Sequence, residues 1–466
     1  MGLGDMADDV MRGVGSLGGW FDPTIRLGVT GLSRAGKTVF ITSLVANLLD
    51  RGRMHGLKAA ANGSIRAAWL QPQPDDTIPR FDYEKYLNAM TGAHPYWPEG
   101  TRSVSELRLS LRVQPGGLLG GFRGPRTVNL DVVDYPGEWL LDLRLMTKDY
   151  AEWSAEVLAR MPGRPLAEEY LSRLASVDPA ARYTETEAQE IAGAYTAQLA
   201  AARDAGWSDC TPGRFLMPGE MAGSPALTFA PLPPRPENAG RSSLWREFQR
   251  RYDAYKSQVV KPFFREHFAR IDRQVVLVDV LGAIHAGPAA VEDMRRAMAD
   301  ILTAFRPGRA GWLAQLLGAR RVERILFAAT KADHLNHVQH PRLTNILTAM
   351  LREARDRADF SGARTEAMAI AALRATTEET IRQDGEELPA VRGTLLDGRQ
   401  AVLYPGELPA DPAALLAPAR EGAPAWLDGD YAVMDFAPAA RTLKPGDGPP
   451  HIRMDKAIEF LIGDRL

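Results

Sequence analysis

A single cysteine, Cys210, occurs in 466 residues. No internal disulfide can form, so core packing must hold the chain, as expected of a protein in a reducing cytosol. Charge of one sign is also lacking: 56 Lys and Arg face 58 Asp and Glu, for a net −2. That balance gives no general attraction to nucleic acid or to anionic membranes. No apolar run approaches the ~20 residues of a membrane span. The opening 22 residues lack the basic start and unbroken apolar stretch of a secretory leader, so export is not expected. What remains is ordinary soluble composition, 45% apolar and 24% charged, on a chain too long for one simple core.

The most informative stretch is Leu27-Gly28-Val29-Thr30-Gly31-Leu32-Ser33-Arg34-Ala35-Gly36-Lys37-Thr38. Ile25 to Thr30 reads as a strand, and Val39 to Leu49 carries apolar residues at helical spacing. Between them Gly31, Gly36, Lys37 and Thr38 fill G-x-x-x-x-G-K-[ST]. Strand, Gly-rich loop and helix in that order form a phosphate-binding loop. The glycines let backbone N–H groups converge on a polyphosphate, and the helix aims its positive end at the same charges. Lys37 adds a mobile cation, and the Thr38 hydroxyl can ligate Mg²⁺.

Residues 1–22 place Leu3, Met6, Val10, Val14 and Leu17 at helical spacing but interrupt them with six glycines. They read as a frayed arm, with Asp5, Asp8 and Asp9 arguing against a membrane-surface helix. Residues 50–100 read as loop with little regular structure. Leu107–Val113 and Thr127–Val133 read as two strands of a hairpin joined by a Gly-rich turn. The second strand ends in Asp134-Tyr135-Pro136-Gly137. A carboxylate at a strand tip can hold a Mg²⁺-bound water, and the Gly137 N–H can reach a terminal phosphate. Residues 139–271 read as helical, broken by the proline-rich 231–236. Their aromatic stripes, such as Leu244, Phe248, Tyr255 and Val259, read as core.

Arg273–Val280 is a continuous apolar strand that carries a rival acidic residue, Asp279. The Pro136-Gly137 tail favours Asp134 as the metal partner. A helix is expected over 290–305. Arg324–Ala329 is another buried strand, leading into Thr330-Lys331-Ala332-Asp333. A carboxylate beyond a strand tip accepts two N–H bonds from a guanine edge, and an adenine edge offers no such pair. His334, His337 and His340 are spaced near a helical face, but no carboxylate completes a metal set. A helix over 342–358 and a last core strand, Thr365–Ala372, follow. Residues 380–440 read as irregular, with short strand candidates at Ala390–Leu396 and Gln400–Tyr404. Asp455–Leu466 reads as a closing helix.

This order of motifs resembles a Ras-like G domain across residues 23–137, 273–376 and 453–466. The phrases Gly31 to Thr38, Asp134-Tyr135-Pro136-Gly137-Glu138-Trp139-Leu140-Leu141-Asp142-Leu143 and Phe327 to His334 resemble the YcjX family of bacterial stress-associated P-loop proteins. The resemblance implies an α/β, Ras-like P-loop fold: a mixed, mostly parallel sheet with helices on both faces and a large inserted helical subdomain. It implies GTP and GDP binding with Mg²⁺ and a link to envelope stress.

Carried across, the phosphates fall to Gly31, Ser33, Arg34, Ala35, Gly36, Lys37, Thr38 and Val39, and the base to Thr330, Lys331, Asp333, His334, Ala372, Leu373 and Arg374. The metal falls to Thr38, Asp134 and Thr101. Thr101 is the candidate switch threonine, with Ser103 and Ser105 as rivals. Lys37, Thr101, Gly137, Glu138 and Arg34 form the catalytic set. Arg34 acts either as an arginine supplied in cis or as a solvent-facing loop residue. Three departures stand out. Thr330 replaces the usual Asn, and Ala372-Leu373-Arg374 replaces Ser-Ala-Lys. Glu138 stands where a water-positioning Gln is common, and an ionised Glu beside a γ-phosphate slows hydrolysis.

The expected organisation is an arm at 1–22 and G domain at 23–138 and 272–378. A helical insertion occupies 139–271, an irregular or β insertion 379–440, and a C-terminal core helix 441–466. The expected function is a cytoplasmic GTP-binding switch with slow Mg²⁺-dependent hydrolysis. Its partner is an unknown protein effector met through the helical insertion, with a peripheral membrane contact at the inner membrane as one candidate. The alternatives are a guanine-nucleotide-bound scaffold without turnover, and an ATPase or kinase.

Overall fold

The computed structural model describes residues 22–31, 35–100, 103–114, 124–303, 322–352, 363–383, 385–426, 431–440 and 443–466. Residues 1–21, Ser33, Arg34 and Thr101, all named above, lie outside them.

A seven-stranded sheet organises the chain, in the order β2-β3-β4-β1-β5-β6-β7. Its strands are β1 (Thr24–Gly31), β2 (Ile65–Gln71), β3 (Ser105–Val113), β4 (Arg126–Asp134), β5 (Arg273–Val278), β6 (Arg324–Ala329) and β7 (Arg364–Ala369). β4, β1, β5, β6 and β7 are parallel neighbours, while β2 and β3 run antiparallel at one edge. The central strands are apolar on both faces. Val275 and Leu277 point into one core and Val276 and Val278 into the other, and Leu326 and Phe327 divide likewise. Strands buried on both faces require covering layers on both, which explains why their sequences run without polar alternation.

One face is covered by α1 (Lys37–Leu49) and by a C-terminal helix, Met454–Ile462, through Phe40, Leu44, Ile458 and Leu461. α2 (Tyr83–Thr91), between β2 and β3, lies on this first face too. The chain between β4 and β5 covers the other face. It runs through α3 (Gly137–Leu141), α4 (Tyr150–Arg160), α5 (Ala167–Ala175), α6 (Glu185–Asp204) and α7 (Gly213–Leu216). It continues through α8 (Leu244–Tyr255) and α9 (Lys261–Glu266). Trp153, Tyr195, Phe229, Phe248 and Tyr252 build its interior, and that interior is continuous with the sheet face carrying Val276 and Phe327. The aromatic stripes are therefore core. The proline-rich stretch is held from within, by hydrogen bonds from Tyr150 to the Ala230 carbonyl and from Tyr170 to the Pro231 carbonyl.

Several boundaries differ from the sequence reading. Residues 50–100 hold more regular structure than the sequence suggests: a one-turn helix at Lys58–Ala61, β2 and α2 interrupt the loop. β2 escapes notice because Ile-Arg-Ala-Ala-Trp-Leu-Gln buries only Ile65 fully, so no two-residue period shows. β5 stops at Val278, because Asp279 caps α10 (Val280–Ala286) by accepting the Gly282 N–H at 2.9 Å. α11 (Pro288–Thr303) follows. α12 (His340–Met350) begins two residues early, with Pro341 in its first turn. β7 ends at Ala369, and Ala371 instead pairs with Ile452. The stretch after it forms a three-stranded antiparallel sheet of β8 (Thr377–Gln383), β9 (Glu386–Thr394) and β10 (Gln400–Leu403). Helix α13 (Ala413–Glu421) precedes α14, the C-terminal helix Met454–Ile462.

Candidate functional site

Parallel strands end together, and the motif residues sit on that common edge. Val29 pairs with Asp134, and Gly31 pairs with Leu277, whose β6 partner is Ala328. The phosphate loop, the Asp134 turn and the Thr330 turn therefore leave β1, β4 and β6 at the same end of the sheet, with β5 between β1 and β6. Ligand sites of open α/β sheets form at this end.

At the phosphate loop, Gly36 adopts φ 80°, a left-handed conformation that costs a side-chain-bearing residue about 1 kcal/mol or more. Gly31 is constrained by space: a Cβ there would stand 2.8 Å from the Leu277 carbonyl and 3.0 Å from the Ala35 Cβ. Lys37 Nζ donates to the Gly31 carbonyl at 3.0 Å, which folds the ammonium back to the end of β1. Thr38 is buried and Val39 half-buried at the start of α1.

Asp134 is 1% exposed at the tip of β4. A hydroxyl from Thr38 and a carboxylate from Asp134 are hard oxygen donors of the kind Mg²⁺ takes, so the donor set fits that ion. Ser105 belongs to β3, directly opposite Asp134, and its hydroxyl is buried with no hydrogen bond among the described residues. Gly137 opens α3. Glu138 is 1% exposed, and neither carboxylate oxygen has a hydrogen bond among the described residues.

The segment after Gly137 is fastened to the helical block. Gly213 packs so closely that a Cβ would fall 2.5 Å from the Glu138 carbonyl oxygen. Asp142 accepts the Gly213 N–H at 2.9 Å and the Tyr255 hydroxyl at 2.5 Å. Burial raises its carboxyl pKa to about 7, against the lowering effect of those bonds and of Arg214 and Arg144. The Arg214 guanidinium stacks 3.2 Å above the Trp139 ring. Arg144 bridges Asp209 and Thr211 in the block to Asp300 on α11. Sequence reasoning missed this joint, since Asp142 lies 71 residues from Gly213 and 113 from Tyr255.

At the base end, Lys331 takes φ 58° and its Nζ donates to Asp279 at 2.5 Å. Asp279, the rival acid, is thus committed to Lys331 and to its helix cap. Asp333 is 4% exposed and accepts the Ala375 N–H at 2.8 Å, while the Thr376 hydroxyl donates to its carbonyl. These bonds join the Asp333 turn to the loop carrying Ala372, Leu373 and Arg374; the sequence reading gives Ala375 and Thr376 no anchoring role. Thr330 ties the turn to β5 through its N–H to the Val278 carbonyl at 2.9 Å. The His334 ring sits edge-on to Phe436, and burial lowers its pKa. His337 pairs with Glu378, and His340 Nε2 bonds the Ala332 carbonyl. The three histidines thus face different partners.

The YcjX-like family model matches residues 25–466. The chain is 38% identical over 461 residues to the Ras-like GTPase YcjX of Escherichia coli K12, covering 96% of each chain. It is 37% identical over 471 residues to the Ras-like GTPase YcjX of Shewanella oneidensis, covering 96% of this chain and 95% of that one. A Ras-like α/β sheet carrying the three motifs on one edge, matched along nearly its whole length, places this chain in the YcjX-like family.

Proposed function

We propose that the chain binds GTP and GDP with Mg²⁺ and hydrolyses GTP slowly to GDP, as a nucleotide-controlled switch in a bacterial stress response. The observation that supports this best is the shared sheet edge: the Lys37 loop, the Asp134 turn and the Asp333 turn leave the parallel strands β1, β4 and β6 at one end of the sheet. In this reading Gly31, Ser33, Arg34, Ala35, Gly36, Lys37 and Val39 surround the phosphates, with Lys37 exchanging the Gly31 carbonyl for phosphate oxygens. Thr38, Asp134 and Thr101 hold Mg²⁺, which neutralises phosphate charge when bound. Asp333, already oriented by Ala375, accepts the guanine N–H groups, with Lys331, Thr330, His334, Ala372, Leu373 and Arg374 around the base.

A terminal phosphate draws in Gly137 and Thr101. Because Gly137 opens the segment fastened through Asp142 and Gly213, its movement is passed to the block over 139–271. That block is the proposed effector surface. The protein is cytoplasmic in this account, reaching a membrane only through a partner; no helix among the described residues is long and apolar enough to cross one.

One observation favours a second reading, a guanine-nucleotide-bound scaffold without turnover. Glu138 is buried and stands where a water-positioning Gln is common. Single-turnover phosphate release from bound GTP separates the two. Slow release that Lys37→Ala abolishes supports the switch; bound GTP that persists unhydrolysed supports the scaffold.

A further inference from the structure

Beside the base loop lies a cavity of about 370 Å³ that the function above touches only through Arg374, lined by Arg53, His55, Arg374, Thr377, Pro450 and His451. Three separate stretches wall it: the turn after α1, the loop between β7 and β8, and the run into α14. They are tied together by backbone bonds, Gly52 N–H to the Gly446 carbonyl at 2.8 Å and Arg374 N–H to the Pro450 carbonyl at 2.8 Å. Asp333 is not among the lining residues; it lies across the 374–375 backbone, bonded to the Ala375 N–H. The cavity is therefore separate from the carboxylate that reads the base.

Its walls carry two guanidinium groups, two imidazoles and a hydroxyl, and no carboxylate. Of the nearby acids, Asp455 is committed elsewhere, and Glu378 and Asp447 reach the wall arginines only at 3.6 and 3.4 Å. Asp455 accepts the Gly56 and Lys456 N–H groups at 2.7 and 2.9 Å. Glu378 bonds His337 at 2.6 Å and reaches Arg374 only at 3.6 Å. Asp447 meets Arg53 at 3.4 Å, in a pair 45% and 38% exposed, an arrangement that water and salt screen heavily. Arg53 Nε donates to the Gly448 carbonyl at 2.9 Å, which fixes the plane of the guanidinium. Both ring nitrogens of His451 are buried without a hydrogen bond of normal geometry. Burial depresses its pKa, against the raising effects of Asp455 and the Arg53 backbone. Fixed guanidinium donors and buried imidazole nitrogens converging on one space match the oxygens of a phosphoryl group.

We propose that this cavity is a second anion site, distinct from the phosphate loop, that takes a phosphoryl group through Arg53, Arg374 and His451. The group comes either free, as inorganic phosphate, or carried on a nucleoside. The test uses the full chain with Mg²⁺ and excess GDP, so that the first site is filled, and calorimetric titration with inorganic phosphate and with uridine monophosphate, which has no guanine edge. One equivalent should bind, weakened at least tenfold by Arg53→Ala and by His451→Ala, with GDP affinity unchanged within twofold. Tighter binding of uridine monophosphate than of phosphate assigns the nucleoside-borne source, and equal binding the free anion. No saturable binding of either probe, or binding that survives both substitutions, overturns the proposal. Should GDP fail to load, the function proposed above falls, and the same titration in Lys37→Ala protein still decides this one.

Discussion

In the proposed function Lys37 and Asp333 carry separable parts of recognition, Lys37 at the phosphates and Asp333 at the base, and substitutions should separate them. Lys37 contributes charge at the phosphates without regard to the base. Charge-assisted hydrogen bonds are worth about 1.5–3 kcal/mol. Lys37→Ala should thus weaken GDP and GTP alike by about 10- to 100-fold in a fluorescent-nucleotide titration. Asp333 contributes the choice of base. Asp333→Asn keeps an oxygen for the Ala375 N–H but sets an amide against the guanine donors. The ratio of GDP to ADP affinity should fall by at least about 100-fold. A ratio that does not move would reject the base assignment.

Among the elements, the joint between α3 and α7 is where the proposed switch would pass its movement to the helical block, and two substitutions address it. Gly213→Ala places a Cβ 2.5 Å from the Glu138 carbonyl. Overpacking of this kind costs about 1–3 kcal/mol, which denaturant unfolding would report. Asp142 gives the joint a pH dependence. Its folded pKa of about 7 lies above the 3.8 of an unperturbed Asp. Between those values the folded protein holds a proton that the unfolded chain releases. The stabilisation is complete below about pH 4 and is lost as pH rises through 7, to the extent of about 4 kcal/mol. The buried histidines His334 and His451 have lowered pKa values and act in the opposite sense, gaining stability as pH rises. The contrast between wild type and Asp142→Asn isolates the carboxyl. Wild type should lose stability relative to the variant from pH 5 to 8, and a constant difference would show that Asp142 is ionised throughout.

The elements also divide by how plainly the sequence announced them. β1, α1, the β3–β4 hairpin, β5 and β6 were legible because burial on one or both faces writes itself into their apolar pattern. β2 was not, since an edge strand with one paired side needs little apolar content. Asp279 read as a metal rival because it is an acidic residue near the end of a buried apolar strand, as Asp134 is. Only the fold shows its carboxylate committed to a cap and to Lys331. The partners of Asp142 left no sequence signal, because a turn over 142–147 meeting residues 71 and 113 positions away has no period to detect.

For the whole molecule, the helical block shares a core with the sheet instead of hanging from a linker. Shared packing transmits strain, since close-packed interiors resist local accommodation. Hydrogen exchange over 139–271 should therefore differ between GDP and a non-hydrolysable GTP analogue, most of all near Asp142, Gly213 and Tyr255. Identical profiles would sever the block from the nucleotide.

The central claim, that one sheet edge holds a guanine nucleotide by its phosphates and its base together, is tested most directly by measuring the affinities of GDP, GTP, ADP and ATP for the purified chain with Mg²⁺ present. The account predicts saturable binding of both guanine nucleotides and adenine nucleotides weaker by at least about 100-fold. Equal affinities for the two bases, or no retention of GDP at millimolar concentration, would contradict it.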